Sequence, residues 1–496
     1  MPESIRALIV ILILSSFLFI FSKKQICKLI PENDFKRRRN AWYAITIAAF
    51  ISSNFWIYSL IAIFIIFFSK QRENNIPALY FILLFTLPEV SAQIPGLGLI
   101  NYLASISHQK ILSILILFPA ALILKANKNT TPFGRITLDK LIIVFLIVSI
   151  LFFARNNTLT NVLRFAFFDL TLTIFLPYYV ISRSLSSIDR FRETFTSILL
   201  VGLILSSVGI IESYKHWLLY KPLLASLDVQ DSIRYLPRGD YLRATAIGGH
   251  SIAFGYLIAV ILGLSFFTLS YFDTKKNIFI VSSILIAGLL STVSRGPWVG
   301  AFFIYLIYTL TGGQILKKLF ITFLVLIAVL LISPFVPFLN SMVDLLPFIG
   351  ETGQGSISYR QRLIENSWIV IQRNPIFGST NYLDTPEMQE MIQGQNIIDV
   401  VNTYIAILLN QGFVGLFIYL TIYLNLILNI NRSLKGYHYN DPLHILGRSI
   451  LATIIGVLIM LATVSSITIV PTVNWSLISL SAAYILLRQK KSDSIS

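Results

Sequence analysis

The chain has 496 residues, of which 55% are hydrophobic and only 12% charged, and its mean hydropathy is +0.76. That much apolar surface excludes a water-soluble fold of this length and points to an all-α polytopic membrane protein. The net charge of +16 is no nucleic-acid footprint, because the lysines and arginines lie in short loops beside apolar runs, as cytoplasmic loops require. The single cysteine, Cys27, excludes a disulfide framework and a cysteine-rich metal site.

Taken in chain order, apolar runs fall near 5–21, 41–68, 77–93, 108–125, 139–154, 163–182, 193–211, 251–271, 277–293, 296–312, 319–338, 401–429, 446–465 and 472–487. Several are short for a bilayer core of about 30 Å, so some pair or tilt, and the expectation is 12–14 transmembrane helices. The first run lacks a small-residue cleavage pattern and reads as a retained span. No internal repeat is evident, which weakens the case for a carrier built from inverted halves.

Lys and Arg set the orientation. A cytoplasmic tail at Arg488-Gln-Lys-Lys491 puts Arg432, Lys435, Arg448, Lys317, Lys318, Lys275, Lys276, Arg183, Arg190, Arg192 and Lys125 to Lys140 on the same side. Segments 212–250 and 339–400, with the Arg295 turn, then face outward. The expected organisation is N-terminal helices over 1–211, an Arg-containing periplasmic loop at 212–250 and helices over 251–338. A large periplasmic loop at 339–400 and a C-terminal portion at 401–496 complete it. Residues 22–40 carry seven basic side chains that a single span at 41–68 would place outside. Either 41–68 is a hairpin turning near Ser52-Ser53-Asn54, the preferred reading, or the first helix runs in the opposite sense.

Three clusters on the expected outer face could carry chemistry. The first holds Glu212, Arg234, Arg238, Arg243 and Gly248-Gly-His250; the second is Ser294-Arg295-Gly296-Pro297-Trp298. The third runs from Tyr359-Arg360-Gln-Arg362 through Asn374-Pro-Ile-Phe-Gly378 to Asp399-Val-Val-Asn402. A planar guanidinium suits a bidentate grip on phosphate oxygens, whereas the bland alternative is an interfacial anchor. His250 stands at a helix mouth, where packing is the commoner role. Asp399 stands at a helix entrance, where a dipole-stabilised acid is the structural alternative. No nucleotide loop and no metal-like carboxylate pair is evident on the outer face.

In order, these clusters resemble the O-antigen ligase and O-antigen polymerase superfamily over roughly residues 190–430. Leu290-Ser-Thr-Val-Ser-Arg-Gly-Pro-Trp298 is similar to its Ser-Arg-Gly turn, and Arg243 with Gly249-His250 and Gly255 to the segment before it. Arg360 and Asn374-Pro-Ile-Phe-Gly378 resemble the start of its large periplasmic loop; Asn402-x9-Gly412-x-x-Gly415 resembles the end. The resemblance implies transfer of a glycan from an undecaprenyl-diphosphate carrier, at the inner membrane's periplasmic side, without cofactor or metal.

It further implies that Arg295, Arg243 and Arg360, with Arg238, Arg362 and Asn402 behind them, hold the diphosphate or substrate. Lipid A core ligases have a histidine just before the matching asparagine; here Val401 stands there and cannot accept a proton. A polymerase of lipid-linked repeat units is therefore expected, with Asp399 as base and His250 second. The alternatives are a ligase that uses another base and a polysaccharide flippase or transporter. The expected partners are the undecaprenyl-diphosphate-linked glycan, the bilayer, and a chain-length regulator and flippase of the same pathway, with no nucleic acid.

Overall fold

The apolar runs fold as helices, because inside a bilayer every main-chain N–H and C=O must find a partner within the protein. The computed structural model describes residues 1–96, 98, 101–230, 233–238, 241–335, 354–394, 397–436 and 438–493. In chain order the helices are α1 (Glu3–Ile26), α2 (Glu32–Ile51), α3 (Phe55–Lys70), α4 (Ile76–Leu84), α5 (His108–Ala126), α6 (Thr137–Ala154), α7 (Leu159–Ser184) and α8 (Ile188–Lys215). There follow α9 (Ser251–Leu269), α10 (Lys275–Ser291), α11 (Arg295–Leu310), α12 (Ile315–Phe335), α13 (Gln354–Arg373), α14 (Thr403–Leu434), α15 (Pro442–Leu461) and α16 (Val470–Asp493). Among the described residues, strand is confined to two antiparallel hairpins, β1 (Ser91–Pro95) with β2 (Tyr102–Ser107) and β3 (Pro237–Arg238) with β4 (Tyr241–Leu242). The protein is an all-α polytopic membrane protein.

Among the described residues, ten helices are long and apolar enough to cross a membrane. One shorter apolar helix, α3, joins them. Helices α8, α9, α15 and α16 form the centre, whereas none of the apolar window of α12 is buried against protein (0%). Helices α11 and α15 approach closely through small residues. A Cβ on Gly300 would lie 2.1 Å from Met460 Cγ, one on Gly456 2.2 Å from Ile304 Cγ1, and one on Gly296 2.4 Å from Thr463 Oγ1.

The run at 41–68 breaks at Ser52, and Asn54 caps α3 through its side-chain oxygen. Residues 22–40 therefore return to the end of the bundle that carries the α7–α8 junction. There buried Arg38 pairs with Glu73 at 2.6 Å and Glu193 at 3.2 Å, and Lys28 pairs with Asp273. At the opposite end, Trp217 Nε1 donates to Glu3 Oε1 at 2.9 Å. The basic segment 22–40 thus lies at the same end as the α7–α8 junction and the α9–α10 turn.

The opposite, loop-bearing end is organised around a break in α14. Gly412 has φ 64° and ψ −164°, so the helical hydrogen-bond ladder stops there. Residues 374–379 supply the missing partners: Phe413 N donates to Pro375 O at 2.8 Å, Val414 N to Ile376 O at 3.2 Å, and Ser379 N to Leu409 O at 2.8 Å. From α6, Arg155 donates to the carbonyls of Phe377 (2.8 Å), Gly378 (3.2 Å) and Asn410 (2.6 Å). A Cβ on Gly378 would meet Asn410 C at 2.6 Å, and one on Gly412 would meet Ile376 O at 2.3 Å. Beyond this joint, α13 and the short helix Pro386–Gln389 pack on Leu409 through Leu363, Val370, Ile371, Met388 and Met391. Residues 339–353 of the expected outer loop lie outside the described residues.

Positive φ and backbone contact together make Gly412 intolerant of a side chain. Gly412→Ala is expected to destabilise the protein by more than about 1 kcal/mol. Gly313→Ala, whose Cβ would meet nothing nearer than Tyr439 Cδ2 at 3.8 Å, should be neutral. Thermal unfolding of both variants in detergent checks this; equal midpoints would refute it.

Candidate functional site

Four arginines converge at the loop-bearing end, from three separate stretches of chain. The turn 292–294 between α10 and α11 is strained: Val293, a β-branched residue, has φ 45°. The 238–244 segment clamps it. Arg238 Nη1 donates to Val293 O at 3.2 Å, Arg243 Nη2 to Ser294 Oγ at 2.9 Å, and Ala244 N to Ser291 O at 3.0 Å. Arg295 is half-buried as the first residue of α11. A cation there opposes the helix dipole, so its position serves something other than helix stability. From α13, Arg360 Nη2 donates to Thr463 O at 3.4 Å.

These guanidiniums crowd one another. Burial, then the charges of Arg238 and Arg360, pushes Arg243 down to about 9. Burial followed by Arg295 lowers both Arg238 and Arg360, and only Asp399 opposes this at Arg360. Among the described residues, Arg238, Arg243 and Arg360 form no ion pair with a carboxylate; their hydrogen bonds go to neutral oxygens. A cluster of guanidiniums held in low dielectric, with the Asp399 carboxylate at its edge, suits an anion with several oxygens.

Asp399 lies at the edge of this cluster. Ser465, in the turn 462–469 between α15 and α16, donates from Oγ to Asp399 Oδ1 at 2.6 Å. Tyr359 OH donates to the Asp399 main-chain oxygen at 3.0 Å. Burial raises the Asp399 carboxyl above the ordinary aspartate range, opposed by the Ser465 hydrogen bond and the charge of Arg360. His250 caps α9, with Nδ1 accepting from Ile252 N at 3.2 Å. Burial and then Arg243 push it down to about 4, so it is neutral at neutral pH. Nearby, the hydroxyls of Thr245, Ser251 and Thr468 are buried without a hydrogen-bond partner, and Gly249 packs against Thr468.

The structure thus assembles Arg238, Arg243, Arg295, Arg360, Asp399 and His250, while two expected residues stand differently. Arg362 is exposed; two positions along a helix turn a side chain through about 200°, so it points away from the face Arg360 presents. Asn402 caps α14, its Oδ1 accepting from Tyr404 N at 3.0 Å and Ile405 N at 3.2 Å, which explains the Asn before the apolar run. Three further residues support the site: Glu212, already part of the first sequence cluster, and Ser465 and Thr463, which carried no sequence signal of their own. Glu212 is fully buried, and its carboxylate accepts from Thr245 N (2.9 Å), Ala246 N (2.8 Å) and Leu219 N (2.9 Å), fixing the loop that carries Arg243. Ser465 and Thr463 meet the site from a turn about 60 to 100 residues away in sequence.

Residues 278–420 match the O-antigen ligase family. That match supports the O-antigen ligase and polymerase superfamily over this part of the chain. It covers Arg295, Arg360, Asp399, Gly378 and Gly412, whereas Arg238, Arg243 and His250 precede it and reach the site through the fold. No curated protein matches the chain. Members of the superfamily transfer glycans as ligases or polymerases, and the match supports such a role in envelope glycan assembly for this multi-pass bacterial membrane protein.

The raised Asp399 carboxyl has a consequence for stability. A folded value above the unfolded one means that its contribution is full below about pH 3.9 and is lost as pH rises through the folded value. At neutral pH the ionised group therefore costs stability. Asp399→Asn is expected to raise the melting temperature at pH 7.5, with a gain that shrinks on acidification. Differential scanning fluorimetry across pH 5–7.5 measures it, and a less stable variant at pH 7.5 would contradict the assignment.

Proposed function

We propose that the protein is a polymerase that joins undecaprenyl-diphosphate-linked oligosaccharide units on the periplasmic face of the inner membrane. The carrying observation is the convergence of Arg238, Arg243, Arg295 and Arg360 beside a single half-buried carboxylate, Asp399. Asp399 takes the proton of the acceptor sugar hydroxyl. The freed oxygen attacks the anomeric carbon of the donor, the bond from that carbon to the diphosphate oxygen breaks, and the diphosphate leaves with the electron pair. The arginines meet the charge that develops on it, so the step needs no metal. Direct displacement inverts the anomeric configuration.

Two features support Asp399 over His250 as the base. His250 uses Nδ1 to cap α9 and lies among cations that disfavour its protonation, whereas Asp399 has a proton affinity raised towards the working range. Val401, at the position where the ligase pattern has its histidine, is buried and apolar; this favours the polymerase over the ligase reading. The periplasmic placement rests on the positive-inside pattern, since the site lies at the end opposite the basic loops. A chain-length regulator and a flippase of the same pathway would be its natural partners.

Complementation of a polymerase-deficient strain tests the reading. Arg295→Ala is expected to abolish long-chain glycan while the protein still inserts, a loss on the order of a hundredfold or more in rate; wild-type chain lengths would refute it. Asp399→Asn should cost about a hundredfold or more, whereas Asp384→Asn, at an exposed position, should be nearly silent. Equal mild effects would remove Asp399 as base.

A further inference from the structure

A cavity of about 230 Å³ lies beside the arginine cluster, between α6, α14 and α16. Tyr382, Asn410, Gln411, Tyr419, Ser466 and Trp475 are among its walls. Its chemistry is unlike a lipid groove. The side chains of Asn410, Gln411 and Ser466 make no hydrogen bond with any described residue; Asn410 and Ser466 are exposed and Gln411 is half-buried, so all three are open to a ligand. Opposite them stand the rings of Tyr419 and Trp475, the latter held against Phe145 at a centroid distance of 4.9 Å. An aromatic wall facing free amides matches a pyranose, which has apolar C–H faces and a rim of hydroxyls. The volume equals that of roughly eight waters at ~30 Å³ each, the room for one sugar ring.

Its position is as telling as its lining. The turn 462–469 touches both regions: Thr463 O accepts from Arg360, Ser465 donates to Asp399, and Ser466 lines the cavity. Thr403 Oγ1 donates to Val464 O at 2.8 Å, fastening this turn to the start of α14. The Asp399–Ser465 contact therefore stands between the cation cluster and the cavity.

We propose that this cavity is the acceptor-sugar subsite, taking the terminal sugar of the glycan whose hydroxyl is to be joined. The proposal rests on the glycan-transfer reading given above. The donor diphosphate occupies the arginine cluster, the acceptor ring stacks on Trp475 and Tyr419, and its attacking hydroxyl reaches Asp399 past Ser466. Asn410 and Gln411 bind the outward hydroxyls and set which ring is accepted.

The test uses the purified full-length protein in detergent and two probes. One is the lipid-free repeat-unit oligosaccharide obtained by mild acid hydrolysis of the producing strain's polysaccharide; the other is undecaprenyl diphosphate. Titration calorimetry is expected to show oligosaccharide binding weakened about tenfold in Gln411→Ala and at least as much in Ser466→Leu, with undecaprenyl diphosphate binding unchanged in both. Arg295→Ala should show the reverse pattern. Absence of oligosaccharide binding to the wild type, or unchanged binding in both cavity variants, overturns the subsite. Normal chain lengths in Arg295→Ala cells would instead overturn the transfer reading, a result independent of these titrations.

Discussion

The loop-bearing end depends on one requirement, that no main-chain group in an apolar bundle goes without a hydrogen-bond partner. Gly412 interrupts α14 and orphans amides and carbonyls on either side. The 374–379 turn and Arg155 satisfy them, and in doing so bind the segment carrying α13 to the bundle. Arg360 and Asp399 belong to that segment, so the reach of both side chains into the cation cluster follows from this joint. The Asn-Pro-x-x-Gly and Gly-x-x-Gly motifs are therefore architectural: they make two backbones fit where a Cβ on either glycine would collide.

A second device places the arginines from the other side. Gly296, Gly300 and Gly456 let α11 and α15 lie almost backbone to backbone, which brings the first turn of α11 against Thr463. The strained Val293 turn is held by donors from the 238–244 segment, itself fixed by the buried Glu212 carboxylate. Backbone strain of this kind costs about 1–3 kcal/mol and persists only where the surroundings enforce it. Here the surroundings are the site itself.

Much of the architecture was legible because membrane helices announce themselves by hydropathy and their ends by charge. The Ser52–Asn54 turn was one of two paths that charge at 22–40 allowed, the other being a first helix of opposite sense. The separation of Arg360 from Arg362 was not legible, because 354–373 reads as polar loop and only a helix gives its residues opposite faces. Nor could spacing show that Asn402 spends its side chain on capping rather than ligand. Arg155, Thr463 and Ser465 were invisible for a different reason. Their partners are 66 to 255 residues away, and nothing local marks a long-range pair.

The guanidiniums of Arg238, Arg243 and Arg360 are anchored on carbonyl and hydroxyl oxygens. Among the described residues, an arriving polyanion therefore displaces no carboxylate from these three. Arginine does not titrate in the physiological range, so acidity acts on the attraction through Asp399, whose carboxyl is raised. Screening also modulates it, with a Debye length of about 8 Å at 0.15 M salt. On the proposed reading, dissolved ions and the protonation of Asp399 together set how strongly a polyanion is held.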